Sequence, residues 1–551
     1  MTRSPEGQIC RQVVAWVIGA LCFMIAAGCG GSSNKEGPVG ATPWPPKGGS
    51  ITVVGSNDPT SLNPKSTKAT NSALMAAVWR GVWRLTPGFR YELNTDLVTS
   101  AEITVADPQT VVYRLNPRAV WSDGEPVDAD DFIYNWQTTR PGATDVDGSP
   151  IQSNVGTLGV DPIASVTGSD GGKTVTVVWK ERNAQWKSGT MFNVLMPAHI
   201  ASRVGFNGFD RFDPAIHLSN APFRLANYVP GRDATLVRNE RYSGSAANLD
   251  SVVFRFTTAD AAVGAFKNGE GDLVDGSALP DLVGQLDSVP GVTASVIASP
   301  TQKSVFFNQR NPLLAIPEVR RALALAVDRR AMHERVYSRG STVGTVNSFL
   351  WANNQPEYRD TSGGRYDRPD VAAAKRLLEG AGFVLGNDGV YVKDGRRLSF
   401  RMSAVAGAPQ TQEAELVQAH VKPAGIELRI ETGPIGVLGP QIRNGDFDVA
   451  IFSYGKGQFG TVGTFRPGNS LGYANSRPDQ LMQQAHSELD DTKRIALLEE
   501  ADRMLWNDLP VLPLYQQPVV FAVRDAFLNI GPNPGASPLW NLEHWARKTG
   551  S

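Results

Sequence analysis

Residues 113–136 read YRLNPRAVWSDGEPVDADDFIYNW, and their order decides the fold class. Val111 to Leu115 is β-branched and aromatic at its centre and reads as a strand. Ser122-Asp123-Gly124 reads as a turn. Val127 to Trp136 reads as a helix, with Asp128, Asp130 and Asp131 at its start, where the positive end of the helix dipole favours carboxylates. Strand, turn and acid-capped helix in direct succession point to α/β architecture.

The same alternation continues on both sides. Ile51–Val54, Lys173–Trp179, Ala234–Arg238, Val252–Phe256, Val292–Ala298 and Ser304–Phe307 read as strands. Asn71–Trp83 has helical spacing, and Pro317–Val336 reads as one helix opened by its proline. Pro369–Glu379 reads as a helix closed by Gly380 and Gly382. Leu398–Ser403, Gln412–Val421 and Glu427–Glu431 form a strand–helix–strand unit, Asp448–Ser453 adds a strand, and Asp479–Trp506 is largely helical. A mixed order of this length implies more than one lobe.

Composition excludes several classes. Of 551 residues, 41% are apolar and 19% charged, which suits large cores and argues against disorder. Lys and Arg number 53 against 54 Asp and Glu, so the basic excess of a nucleic-acid binder is missing. The three cysteines are Cys10, Cys22 and Cys29, so the rest of the chain holds no disulfide, no Cys-ligated metal and no Cys nucleophile.

Those cysteines lie in an export segment. Arg3 and Arg11 precede the uncharged apolar run Val13–Ala27, which is short for a membrane span. It ends in Ala26-Ala27-Gly28-Cys29, which resembles the lipobox of bacterial lipoproteins, with Ala26 where a Leu is usual. Gly30–Ser50 follows as a polar Gly/Ser/Pro tether. Lipidation at Cys29, a signal segment over 1–28 and a tether over 29–50 are the expectation.

Enzyme motifs fail in context. Gly455-Lys456-Gly457-Gln458-Phe459-Gly460 matches G-x-G-x-x-G, but no helical period follows to meet a pyrophosphate. Gly468-Asn469-Ser470-Leu471-Gly472 matches a nucleophile elbow without the flanking strand and helix. Gly171-Gly172-Lys173-Thr174 reads as a hairpin turn rather than a phosphate loop. The six histidines are scattered, none within metal-ligand spacing of another, which leaves open a site assembled in space. No metal, no cofactor and no catalytic residue are expected.

Residues 113–136 closely resemble the signature of family 5 solute-binding proteins, the extracytoplasmic peptide-binding components of ABC importers. Further matches fall in the family's order. They are Ser61-Leu62-Asn63-Pro64 and the Gly81 region, Ala221–Leu225 with Arg238–Tyr242, and Gly269-Glu270-Gly271-Asp272. Phe307-Asn308 with Val319–Arg329, Ala373–Phe383 and Asp508–Tyr515 complete the series, so the resemblance spans nearly the whole mature chain.

The resemblance implies a two-lobed periplasmic-binding-protein-like α/β fold (type II, cluster C-like). Lobe I would cover 51–300, with an inserted subdomain at about 85–195, plus the C-terminal return 514–551; lobe II would cover 301–513. Strand crossings near Ser299–Ser304 and Leu512–Tyr515 would form the hinge, and ligand would sit in the cleft between the lobes. Function would be capture of a peptide or peptide-like solute for ABC permease subunits, by a monomer anchored through Cys29 to the outer face of the cell membrane, with no nucleic acid involved. The residues expected to face ligand are Lys68, Thr70, Asn71 and Gln302, and the loop Tyr454, Gly455, Lys456, Gly457, Gln458 and Phe459.

The departures concern charge. In the oligopeptide binders an Asp pairs with the peptide amine at a position that falls near Gly457, yet no carboxylate occurs from Ser453 to Pro478. A second acidic position of the family is matched by Lys68. A buried ammonium without a partner is costly. Either the amine is met elsewhere or the ligand lacks one, which opens the site to N-blocked, anionic or non-peptide solutes. An enzyme or an envelope regulator on the same scaffold is the competing class.

Overall fold

Ten strands of one sheet carry the architecture of this computed structural model, which describes residues 46–549 except 70–72, 152, 154–161, 189–191, 278–280, 338–343, 408–409, 456–464 and 466–467. The export segment, Cys29 and the tether as far as Pro45 lie outside the described residues. In chain order the strands are β1 (Ser50–Ser56), β2 (Phe223–Val229), β3 (Asp233–Arg238), β4 (Ser251–Phe256), β5 (Leu273–Ser277) and β6 (Val292–Phe307). They continue with β7 (Ser399–Val405), β8 (Glu427–Gly433), β9 (Val449–Gly455) and β10 (Val511–Arg524). Their order across the sheet is β8-β7-β9-β6-β10-β5-β1-β4-β3-β2. β7 runs parallel to β8 and β9, whereas β6 runs antiparallel to β9 and β10.

Two main cores flank this sheet. One is built from Ile51 to Leu273 and closed by Phe521, Val523 and Trp545; the other runs from Val305 to Tyr515. β6 and β10 belong to both ends. Ile297, Phe521 and Val523 pack with the first core, while Val305–Phe307, Leu512, Leu514 and Tyr515 are buried in the second. Each fully buried Leu, Val or Phe contributes roughly 1.5–3 kcal/mol, so strands shared in this way tie the two cores together.

Antiparallel strands Val98–Ala106, Gln109–Leu115, Ile163–Ser169 and Thr174–Trp179 form a separate four-stranded sheet. Helix α1 (Ala129–Gln137) packs on it, with Asp128 as N-cap and Asp131 closing a capping box, as the acid-rich start implied. The Gly171-Gly172 segment is the hairpin turn between the last two strands, with φ of +62° and +83°.

Three sequence expectations need correction. The expected helix over Asn71–Trp83 is reduced to Ala73–Ala76, because tertiary partners take the later backbone. Arg80 N donates to Asn220 Oδ1 at 2.7 Å and Val82 N to Phe192 O at 2.9 Å. Pro317–Val336 divides into α2 (Pro317–Ala326) and α3 (Arg329–Val336), since Asp328 caps the second through Ala331 N at 2.9 Å. The strands at 292–298 and 304–307 are one continuous β6, although its pairing with β10 lapses between Ala298↔Pro518 and Gln302↔Gln516. Pro300 and Pro518 lack the N–H that a ladder needs, which accounts for the lapse.

Candidate functional site

Parallel strands β7 and β8 end side by side at Val405 and Gly433, while β9 pairs with β7 as far as Ala404↔Ile451 and runs on to Gly455. Ligands of open α/β sheets bind outside the carboxyl ends of such strands. Next to that edge β6 begins its second-core half, with Thr301 opposite Gly455, Gln302 opposite Tyr454 and Lys303 opposite Ser453. On its other side Gln302 faces Gln516 and Lys303 faces Tyr515 of β10. Gln302, Tyr454 and Gly455, three of the residues expected to face ligand, are therefore neighbours where β9 ends.

Side chains replace the ladder where it lapses. Ser299 Oγ donates to Gln517 O at 2.7 Å, and Gln516 Nε2 donates to Ser299 O at 2.9 Å. The same Gln516 nitrogen lies 2.9 Å from Asn354 Oδ1, and Asn354 Nδ2 donates to Ala298 O at 2.8 Å. Gln302 is fully buried and its amide donates to Ser304 Oγ at 2.8 Å.

On the opposite face of β6 lies a buried polar cluster. Helix α4 (Gln410–Val421) starts at the carboxyl edge of β7, and its first turn carries Glu413. Lys303 Nζ is 2.9 Å from Glu413 Oε2, while the hydroxyls of Tyr515 and Tyr337 donate to Oε1 at 2.8 and 3.3 Å. Burial, and then the Glu413 charge, push both tyrosines far above their ordinary range, so they stay protonated donors. His333 packs edge-on to Tyr515, with ring centroids 5.3 Å apart, and burial lowers its pKa, which favours the neutral ring.

Lys68 sits elsewhere, beside the Ser61–Pro64 turn. It is more than half exposed, and its ammonium is 2.7 Å from Asp210 Oδ2. Asp210 Oδ1 in turn accepts from Ser61 Oγ at 2.6 Å. Thr70, Asn71, Lys456, Gly457, Gln458 and Phe459 lie outside the described residues.

The signature segment proves structural in its contacts. Asp131 accepts from Ala198 N at 2.7 Å and Trp121 Nε1 at 3.0 Å, and burial raises its pKa to about 7. Lys65 Nζ donates to Asn135 Oδ1 at 2.6 Å, and burial lowers its pKa to about 7. A cavity of about 320 Å³ opens beside α1, lined by Glu125, Asp128, Asp130, Asp131, Tyr134 and His199, on the first core and not at the strand edge above.

Gly468–Gly472 is a turn, with Asn469 Oδ1 accepting from Leu471 N at 2.9 Å, and presents no elbow. Among the described residues no three His, Asp or Glu side chains gather as metal ligands, and no helix is long and apolar enough to cross a membrane.

Sequence reading missed Lys303, Glu413, Gln516 and Asn354. The available signal was a lysine within Gln302–Phe307, a strand otherwise free of charge and headed for a core. Such a charge requires a buried partner, though not one that sequence can identify.

Comparison with known proteins agrees with this geometry. The chain is 29% identical over 401 residues to the probable monoacyl phosphatidylinositol tetramannoside-binding protein LpqW of Mycobacterium tuberculosis, covering 69% of this chain and 60% of that one. It is 27% identical over 507 residues to the oligopeptide-binding protein OppA of Mycobacterium bovis, covering 86% of this chain and 80% of that one. The periplasmic EDTA-binding protein EppA superposes with a TM-score of 0.84 at 26% identity, covering 94% of this chain and 99% of that one. The model of bacterial extracellular solute-binding proteins, family 5, matches residues 92–474. With that match across most of its length, the chain belongs to the family 5 bacterial extracellular solute-binding proteins, a family of binders and not of enzymes.

Proposed function

We propose that this protein is a hinged, lipid-anchored trap that captures a peptide or peptide-like solute outside the membrane and delivers it to ABC permease subunits. The observation that carries the reading is the sharing of β6 and β10 between two cores, with ladder pairing lapsing between Ala298↔Pro518 and Gln302↔Gln516. Lobe I is 51–300 with the C-terminal return 514–551, whose first residues Leu514 and Tyr515 still pack in the second core, and lobe II is 301–513. Ligand sits against the β9 carboxyl end, at Gln302, Tyr454, Gly455 and the following Lys456–Phe459, with Lys68, Thr70 and Asn71 opposite. A peptide held there adds backbone hydrogen bonds, and wet pockets accept its side chains. The likeness to OppA supports this solute class.

A second reading is an amine-free, anionic solute, and a regulatory role would accompany it. The absence of any carboxylate from Ser453 to Pro478 favours it, and relatives named for binding a phosphatidylinositol mannoside and EDTA agree with it. Mass spectrometry of whatever co-purifies from native cells, after denaturing the protein, separates the two. Peptides with free amino termini support import of peptides. Amine-free anions support the second reading, and a protein that carries and takes up no solute contradicts both. The anchor is tested separately: radiolabelled palmitate enters the native chain and not Cys29→Ala.

A further inference from the structure

The break between β6 and β10 has a fixed side and an exchangeable side. Lys303 and Tyr515 face each other one ladder step beyond the break, on the second-core side, and both reach Glu413 of α4. All three are buried, with Tyr515 in the second hydrophobic core although it belongs to the C-terminal return, and any rotation of the lobes carries them as one body. The bonds that cross the break are of another kind. Asn354 follows the buried Trp351 of the second core, yet its amide donates to Ala298 O, on the first-lobe side of the break. Gln516 joins it there, donating to both Asn354 Oδ1 and Ser299 O, while its own Oε1 accepts from Asn353 N at 3.2 Å. Pro300 and Pro518 leave no ladder bond to compete for these carbonyls.

We infer that Asn354 and Gln516 are a side-chain latch across the hinge, which holds the present interlobe angle and is released when the lobes rotate. The inference rests on the hinged-trap reading. A rotation about Ser299–Thr301 and Gln517 moves Ala298 O relative to Asn354, so these two bonds must break or change partner, whereas the Lys303–Glu413–Tyr515 cluster need not change. Asn354 is exposed and outside both helix and strand, so its replacement acts on the lobe angle and not on a core. The two are positioning residues for closure.

The chain suits a distance measurement, because its cysteines are confined to Cys10, Cys22 and Cys29. With these changed to serine, spin labels at Glu102→Cys and Ala372→Cys, both exposed, report the separation of the lobes. Distances are recorded by pulsed electron resonance on protein as purified and on protein freed of its co-purified solute by denaturation and refolding. In solute-free Asn354→Ala, loss of the bonds to Ala298 O and Gln516 shifts the equilibrium between the two distances by about three- to tenfold, at an unchanged melting temperature. Asn353→Ala is the control: it removes a bond to Thr345 O within lobe II, at 2.9 Å, but keeps the backbone donor to Gln516. It leaves the distribution as in the parent chain. An Asn354→Ala distribution identical to the parent's, or an equal shift in Asn353→Ala, overturns the latch while the hinged trap stands. A parent whose distances are the same with and without its solute overturns the hinge, and the latch with it.

Discussion

Lys303 and Glu413 form an ion pair of 2.9 Å whose side chains are 3% and 0% exposed, between the strand that links the lobes and the helix behind it. Two charges withdrawn so far from water are tolerable only as a pair, and the tyrosine hydroxyls complete the carboxylate's hydrogen bonds.

Breaking that pair from one side should therefore be far worse than removing it. Glu413→Gln leaves a buried ammonium and is expected to cost about 3–5 kcal/mol, and Lys303→Met, which strands the carboxylate, a similar amount. The double variant should recover most of the loss, since no buried charge is left. Urea unfolding followed by tryptophan fluorescence gives the cycle. Additive single and double effects would show that the two side chains do not interact.

Acid should loosen the C-terminal return first. Glu543 is buried between Arg80 and Arg84, at 2.6 and 2.9 Å. Burial, the largest single influence, would raise its pKa, but the charge and hydrogen bond of Arg80, a backbone hydrogen bond and the Arg84 charge together outweigh it and hold the pKa at about 2, against an ordinary 4.5. A folded-state pKa below the unfolded one stabilises the fold above the unfolded value, and that stability is lost as pH falls through the folded one. The contribution is about 3 kcal/mol at neutral pH and declines between pH 4.5 and 2. The melting temperatures of native chain and Glu543→Gln should differ at pH 7 and converge near pH 2. A constant gap would contradict the linkage.

Gly457→Asp adds a carboxylate to the loop after β9, which the proposed function sets against the ligand. If the native solute is anionic or amine-free, this variant should bind it about 1–3 kcal/mol more weakly and gain affinity for peptides with free amino termini. Calorimetry with the co-purified solute and with a free-amine nonapeptide reads both. Unchanged affinity for both would remove the loop after β9 from the site.

Much of the fold was legible because it is written in local chemistry. The acid start of α1 reads directly as a capping box, and Ser169–Lys173 reads as a hairpin. The helix after Asn71 was overread because its spacing is apolar whether or not the backbone is free to coil, and Asn220 and Phe192 claim it from far along the chain. The site was legible only in part. Gln302 and the residues ending β9 converge because the family pattern fixes the order of strands. Glu413 is an unremarkable helix residue in sequence, and its role depends on a lysine more than a hundred positions earlier that only the folded sheet brings within reach.

In the proposed trap the lobes close on a solute about the break between β6 and β10, beside Pro300 and Pro518. Small-angle scattering tests it most directly, on protein as purified with its solute and on the same protein after that solute is removed. A radius of gyration smaller with solute bound, and restored when the solute is returned, is the expected result. Identical scattering curves from solute-bound and solute-free protein would contradict the hinged trap.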